Sequence, residues 1–173
     1  MSSIIVSPNS SVDNNISQNN RFEMFFSKLE NVSYTLNSVN IPGISINNPE
    51  VSTVLNRVHY GADSAQFDNL QIQFLVQEDL FNYFELHDWM RAISFPDSFS
   101  DSENIERFGG ESSHAILTIN SSYNRPIYRF HFFHIQPATL SSIDFTASSS
   151  DEIIANATFN YTIFRREIVP ILE

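Results

Sequence analysis

The chain contains no cysteine, and this absence removes several kinds of site together. Disulfide frameworks, thiolate metal sites and cysteine nucleophiles are all excluded. Glycine is also scarce, with four residues in the whole sequence, and none of them forms a glycine-rich phosphate loop. No Gly-x-Ser-x-Gly motif surrounds any of the serines. We therefore expect no catalytic residues and no cofactor.

Long apolar runs and basic residues are scarce as well. No segment reaches the roughly 20 apolar residues of a membrane-spanning helix, and the first residues lack the basic flank and apolar stretch of a secretory signal. We expect a soluble intracellular product with no membrane partner. Lys28 is the only lysine, and the formal net charge is −11. Because nucleic-acid binding needs Lys and Arg to displace phosphate counterions, this charge predicts that DNA is repelled.

The chain does contain enough apolar material for a core. Hydrophobic residues make up 42% of its 173 residues, and sixteen residues are phenylalanine. A chain of this length can bury roughly two thirds of its unfolded surface in one domain. Residues 1–20 differ, since they are rich in Ser and Asn. We expect a flexible N-terminal arm at 1–20, a β domain at 21–167 and a C-terminal tail at 168–173.

Alternating apolar and polar residues predict strands over most of the β domain. The clearest runs over 70–76, with apolar residues on one face and glutamines on the other. Strands at 22–26 and 34–38 are expected to pair with each other across a turn at Glu30-Asn31. Further strands are expected at 115–119, 127–135, 143–147 and 154–164. The predicted fold is mainly β: a small antiparallel β-barrel or two-sheet sandwich of about seven or eight strands with one flanking helix.

That single helix is predicted at about 80–93, with Asp79 as its N-cap. One apolar stripe at the i, i+3, i+4, i+7 spacing runs along it and should close the core. The residues of this stripe are Leu86, Trp89, Met90 and Ile93. Phe95-Pro96 should end the helix, and the polar stretch 97–113 should form a long surface loop.

A bend is predicted after the second strand, because Pro42 cannot donate to a sheet ladder and Gly43 permits positive φ. The apolar residues that follow lie on polar, extended sequence broken by Pro49. This pattern is typical of a protruding hairpin, whose apolar side chains need a neighbour to cover them. The residues that we expect in this inter-subunit arm are Ile41, Pro42, Gly43, Ile44, Ile46, Val51, Val54, Leu55 and Val58.

Three features could carry chemistry, and each has a simpler explanation. His131 and His134 lie three residues apart on a strand and point to opposite faces, so they cannot share a metal ion. His87 and Asp88 are adjacent on a helix, where side chains diverge by about 100°. The aromatic strand 128–133 could stack on bases, but a core strand is favoured because no basic groove accompanies it. We expect no metal site.

The order of several short stretches carries further information. SVNIPGIS at 38–45 is followed by GAD at 61–63 and FDNLQIQFLVQEDL at 67–80, and then by Tyr83, Trp89 and Met90. IDF at 143–145 and ATFNY at 157–161 complete the series. With these residues in this order, the chain resembles the tail-tube protein family of contractile bacteriophages over roughly 22–164.

The resemblance implies a non-enzymatic structural protein of the virion tail, assembled in the host cytoplasm. Members of this family form hexameric rings that stack into a hollow tube inside a contractile sheath, and type VI secretion tubes share their fold. The resemblance implies that residues 41–58 pack onto adjacent subunits. Its implied partners are further copies of the chain, the sheath, and baseplate or tail-completion proteins.

The charge acquires a hypothetical role in such a ring. Six copies would multiply a formal charge of −11, and an acidic lumen would let double-stranded DNA pass without specific binding. Two alternatives stay open. The chain could form a single ring at one end of the tube, as a baseplate tube initiator or a tail completion protein. From another class, it could be a free-standing β-sandwich module that binds a ligand such as a sugar.

Overall fold

The structure is a computed structural model that describes residues 21–46, 50–52, 57–59, 65–94, 113–148 and 151–169. Two helices lie in these ranges, α1 (Glu30–Tyr34) and α2 (Phe81–Ser94). The strands are β1 (Phe22–Phe26), β2 (Leu36–Val39), β3 (Ile44–Ile46), β4 (Glu50–Ser52), β5 (Arg57–His59), β6 (Ala65–Phe67), β7 (Leu70–Leu75), β8 (His114–Asn120), β9 (Pro126–Phe133), β10 (Gln136–Leu140), β11 (Ile154–Asn160) and β12 (Ile163–Ile168).

Eight of these strands form two four-stranded antiparallel sheets that share one core. The first sheet has the order β1-β8-β9-β12, and the second has the order β10-β11-β7-β2. Phe26 of the first sheet and Phe159 of the second meet with ring centroids 5.3 Å apart. Among the strands that the structure describes, the sheets do not close into a barrel. The predicted mainly β class is confirmed, and of the two predicted architectures the structure has the two-sheet sandwich.

One bent hairpin belongs to both sheets. Phe133 pairs with Ile163 in the first sheet, and Gln136 pairs with Asn160 in the second. Between these pairs, His134 has a left-handed φ of 53°, a conformation that strand residues do not adopt. The continuous strands predicted at 127–135 and 154–164 are therefore wrong in extent, because each is divided where the chain passes from one sheet to the other.

The strands predicted at 22–26 and 34–38 correspond to β1 and β2, but the expectation that they pair with each other is wrong, and so is the strand predicted at 143–147. β1 pairs with β8 and β2 pairs with β7, so the two strands do not pair with each other. The helical turn α1 separates them and carries the chain between the sheets. Residues 143–147 form no strand, and the strand on this part of the second sheet is β10 instead. Its Pro137 lowers the strand signal in the sequence, but proline is tolerated here because β10 is an edge strand.

The prediction for the strand at 70–76 is confirmed in β7. Leu70, Ile72 and Phe74 are buried, and Gln71 and Gln73 are exposed. A strict alternation of this kind fixes which face meets the core, because a slip of one residue would expose every apolar side chain.

Helix α2 begins and ends within one residue of the predicted bounds. The carboxylate of Asp79 accepts a hydrogen bond from the N–H of Phe81 at 3.1 Å. Leu86 and Trp89 of the predicted stripe are buried, and Met90 is half-buried.

The prediction for Ile93 does not hold, since this side chain is 46% exposed. Ile93 lies on the angular stripe of Leu86 and Trp89 but in the last turn of α2. In that turn the buried residue is Ala92.

Asn82 at the start of α2 is fully buried, and the sequence reasoning missed it. Its amide nitrogen donates to the hydroxyl of Thr35 at 2.8 Å and to the carbonyl of Leu75 at 2.7 Å. Its amide oxygen accepts from the N–H of Gln77 at 3.2 Å. This one side chain therefore joins α2 to the end of β7 and to the residue before β2, with each hydrogen bond internal to the protein.

Candidate functional site

Four short strands between β2 and β7 form a separate ribbon. β3 pairs with β6, and Ile44 lies opposite Phe67. β4 pairs with β5, and Val51 lies opposite Val58. These pairs are nested in sequence, as expected for one long antiparallel hairpin. Neither pair belongs to the four-stranded sheets, so the ribbon extends from the sandwich.

One face of the ribbon presents apolar side chains. Ile44 is 59% exposed and Ile46 is 56% exposed, and the alternation of a strand places both on one face. Phe67 opposite Ile44 is 45% exposed. Apolar side chains that adjoin on one face form a surface suited to a protein partner.

The base of the ribbon is tied to the sandwich. The N–H of Asp68 donates to the carbonyl of Gly43 at 3.0 Å, and the hydroxyl of Tyr161 donates to the carbonyl of Asp68 at 2.9 Å. The rings of Phe67 and Phe164 meet edge to face, with centroids 5.5 Å apart. The first of these contacts closes the base of the ribbon, and the other two join that base to the place where the bent hairpin changes sheet.

Gly43 is held closely against Asp68. A Cβ atom at residue 43 would lie 2.7 Å from a carboxylate oxygen of Asp68, so a larger residue there would displace that carboxylate. Burial and the negative charge of Asp68 raise the pKa of Tyr161 above its ordinary value. The neutral phenol, which donates to the Asp68 carbonyl, is therefore the favoured form.

The residues predicted in the inter-subunit arm occupy different environments. Ile41, Gly43, Ile44 and Ile46 are exposed, whereas Pro42 is buried. Val51 and Val58 face each other in register on β4 and β5. Val54 and Leu55 lie outside the described residues. No observation here tests whether these residues contact another subunit, so that role stays a prediction.

A groove of about 830 Å³ is lined by residues of β1, α1 and β2, and β1 and β2 are edge strands among the described residues. Phe22, Met24 and Leu36 contribute apolar walls, and Ser33 also lines it. The Ser33 hydroxyl donates to the carbonyl of Leu29 at 2.8 Å and accepts from the N–H of Phe26 at 3.1 Å. That hydroxyl is engaged by the backbone and is not set up as a nucleophile.

The residues considered for chemistry do not assemble into a reactive group. The His87 Nδ1 and Asp88 Oδ1 atoms lie 3.6 Å apart, closer than expected for adjacent helical side chains but too far for a good hydrogen bond. Within the described ranges, no group of three or more His, Cys, Asp or Glu residues could hold a metal ion. No helix in these ranges has the length and apolar character needed to cross a membrane.

The aromatic strand 128–133 has two different faces. Phe132 is buried in the core, whereas Arg129 and His131 lie on the outer face of the first sheet. The prediction that 128–133 is a core strand therefore holds for its inward side chains and not for its outward ones.

Comparisons with known proteins give a consistent result. No protein-family model matches the chain. The tail tube terminator protein of Enterobacteria phage T4 is 28% identical to it over 144 residues, which are 78% of this chain and 79% of that protein. The tube terminating cap of the anti-feeding prophage has a TM-score of 0.67 at 12% identity, covering 96% of this chain and 100% of that chain. A chain of the PVC extracellular contractile injection system, from its sheath-tube complex in the extended state, has a TM-score of 0.65 at 16% identity, covering 91% and 95%. These two likenesses show the fold.

Proposed function

Because the chain is related to the phage tail tube family, we propose that it is a structural protein of a contractile tail that terminates the tail tube. The observation that carries this proposal is the 28% identity over 144 residues to a tail tube terminator protein. In this role the chain forms one hexameric ring at the end of the tube and acts by assembly rather than catalysis. Its partners are the tube, the sheath and tail-completion proteins, and its place is the virion tail, assembled in the host cytoplasm.

The exposed ribbon supports assembly between copies. Ile44, Ile46 and Phe67 place apolar surface on an extension whose base is fixed by Asp68 and Tyr161. A pre-oriented extension loses less conformational freedom when a neighbour covers it. We propose that each ribbon packs on the next subunit of the ring.

The net charge supports a proposal about DNA. A ring of chains that each carry a net charge of −11 repels phosphate. We propose that double-stranded DNA moves through the ring without specific binding. A map of the assembled ring with a neutral or basic lumen would end this part of the proposal.

A second candidate is a tube subunit repeated along the tail. The observation that favours it is the fold similarity to a chain of a sheath-tube complex, with a TM-score of 0.65. The two functions differ in copy number. A terminator is present once per tail as a single ring, whereas a tube subunit is present in every ring.

Purified protein examined by native mass spectrometry and negative-stain microscopy tests these functions. A terminator should give single hexameric rings, whereas a repeated subunit should give tubes that lengthen with concentration. A persistent monomer would refute both, and affinity of that monomer for a sugar or another small ligand would favour a free-standing binding module. Quantitative mass spectrometry of intact virions supplies the copy number independently.

Single substitutions then test the ribbon. Ile44→Asp and Ile46→Asp place an unpaired charge in the proposed interface and should prevent ring formation. Ser45→Asp is the matched control, because Ser45 lies between them and points to the other face of β3. Rings that form equally well from Ile44→Asp and Ser45→Asp would show that the apolar face is not the contact.

A further inference from the structure

The basic residues of this acidic chain are unevenly distributed. The sequence has nine Lys and Arg residues against twenty Asp and Glu residues. Arg129 lies on β9, and Arg165 and Arg166 are neighbours on β12. Arg125 directly precedes β9. One half of the first sheet therefore carries a concentration of positive charge that the overall charge conceals.

Two of these arginines lie on the outer face of the first sheet. β9 and β12 are paired so that Arg129 lies opposite Glu167 and His131 lies opposite Arg165. Residues directly opposite in an antiparallel pair share a face, and Phe133 joins them because it is two residues from His131. We call this surface the outer face. Its side chains are those of Phe25, Ile116, Arg129, His131, Phe133 and Arg165, together with Glu23 and Glu167 in the row of Arg129.

The side chains of the outer face support one another. The guanidinium carbon of Arg165 lies 5.6 Å from the ring centroid of Phe133. The ring of His131 stacks on the same phenylalanine at 6.4 Å, with 20° between the planes. His131 Nε2 lies 2.8 Å from the Glu167 carboxylate, so that carboxylate is already engaged. Arg165 is thus held in place by an aromatic ring, and this orders its guanidinium before any partner arrives.

Neither arginine of the outer face forms an ion pair with a carboxylate of the described residues. In a chain with more than twice as many acidic as basic residues, this leaves binding capacity for an external carboxylate. Arg and aromatic residues are enriched where proteins meet, and exposed Phe25 adds apolar area beside them.

An acidic surface of matching character exists elsewhere on the same chain, around α1 and the start of α2. Glu78 and Asp79 line one depression beside Asn31. Glu30 and Glu85 line a second depression beside the same asparagine, together with Lys28. The exposed ring of Phe81 borders the first depression. We call this surface the acidic end.

We propose that the outer face of one copy binds the acidic end of a second copy. The two surfaces are different patches of one chain, so the contact is heterologous, a geometry that closes into rings or continues as stacks. This inference rests on the proposed assembly of copies, and it names a contact in addition to the ribbon.

DNA fits the outer face less well than a second copy does. Glu23 and Glu167 lie in the same row of side chains as Arg129 and would repel phosphates and carboxylates alike, so they do not distinguish the two partners. The remaining part of the outer face, at Phe25 and Ile116, is apolar and offers phosphates no donor. The mixed pattern suits a protein surface with its own carboxylates and an exposed aromatic ring.

A charge-matched comparison tests this contact. Arg129→Gln with Arg165→Gln removes two positive charges from the outer face. The control, Gln71→Glu with Gln73→Glu, changes the net charge by the same amount but on the exposed side of β7. We expect the arginine variant to raise the concentration needed for ring formation at least tenfold and the glutamine variant to leave it nearly unchanged. Assembly of the unmodified protein should weaken as salt concentration rises. Tryptophan fluorescence of Trp89 verifies that each variant is folded.

A charge swap provides the decisive experiment. Arg129→Glu with Arg165→Glu should abolish assembly, and adding Glu30→Arg and Glu78→Arg to the same chain should restore it, because every copy then carries both reversed surfaces. Rings that form from the arginine variant as readily as from the unmodified protein would overturn this contact while leaving ring assembly intact. The contact would also be overturned if the arginine variant assembled normally but lost affinity for a 30-base-pair DNA duplex that the unmodified protein binds. Persistent monomers of the unmodified protein would refute assembly itself.

Discussion

Asn82 is the position where the structure makes its sharpest prediction about stability. Its amide makes three internal hydrogen bonds, to Thr35, Leu75 and Gln77, and no part of the side chain reaches solvent. Asn82→Ala removes all three and leaves the Gln77 N–H and the Leu75 carbonyl with one fewer partner in a buried place. We expect α2 to lose its principal polar attachment to the second sheet.

The magnitude follows from these bonds. Each contributes about 1 kcal/mol net, and an unsatisfied buried group adds about 1–3 kcal/mol. The free energy of unfolding should therefore fall by about 4–6 kcal/mol. With a urea m-value of about 2 kcal/mol/M, the midpoint of unfolding should move down by about 2–3 M. The emission of Trp89, the only tryptophan and a buried one, reports the transition.

Two further variants make the prediction specific to the amide. Asn37→Ala removes an exposed asparagine on β2 and should change stability by no more than about 0.5 kcal/mol. Asn82→Asp keeps the acceptor for Gln77 but directs a carboxylate at the Leu75 carbonyl, which raises the pKa of that carboxyl group. Since the protonated form is then favoured in the folded state, this variant should lose stability as pH rises from 4 to 7. A midpoint for Asn82→Ala within about 0.5 M of the unmodified protein would refute the reasoning.

Three other predictions concern the helix and the ribbon base. Trp89→Ala should lower the free energy of unfolding by about 3–5 kcal/mol, measured by thermal melts followed by circular dichroism. Ile93→Ala should lower it by less than about 1 kcal/mol because Ile93 is exposed. Similar losses in the two variants would contradict the burial observed along this helix. Burial and then the charge of Asp68 raise the pKa of Tyr161, so the contribution of this phenol to stability is present below about pH 10 and is lost as pH rises further. Tyr161→Phe should reduce the loss of unfolding free energy at alkaline pH. An unchanged dependence of the unfolding free energy on pH would show that Tyr161 does not cause this loss. Gly43→Ala should lower the free energy of unfolding less in an Asp68→Ala background than on its own, because the added methyl group meets the Asp68 carboxylate. Additive losses of the two substitutions would show that the methyl group and the carboxylate do not make this contact.

The sequence predicted those elements whose signal is local and periodic. β7 alternates strictly between buried and exposed residues, and α2 repeats its apolar residues at helical spacing, so both were found nearly to the residue. Which strands pair is not local, and the proximity of β1 and β2 in sequence suggested a hairpin that the structure does not have. β10 escaped detection because Pro137 is tolerated only by virtue of an edge position that tertiary structure creates.

The missed residues had weaker signals. Asn82 lies four residues before Leu86 and seven before Trp89, on the same stripe, and a polar residue at such a position could have been identified as a buried hydrogen-bonding group. The contacts of Asp68 with Gly43 and Tyr161 had no equivalent signal, because they join residues far apart in sequence. The outer face was obscured by the inward aromatic residues of the same strand.

The core and the ribbon are separable, and this separation bears on how the chain could fold before it assembles. The buried cluster includes residues of α1, α2 and both four-stranded sheets, but none from β3 or β6, the two ribbon strands whose burial the structure describes. Ile44 and Ile46 therefore contribute little to the stability of the isolated chain, and their exposed area is available to a partner. Ile44→Asp should leave the urea midpoint unchanged while preventing ring formation. Asn82→Ala should lower the midpoint, and at urea concentrations where it remains folded it should still form rings. A loss of stability in Ile44→Asp equal to that in Asn82→Ala would mean that the ribbon belongs to the folding core, and its exposed face could then not be assigned to assembly.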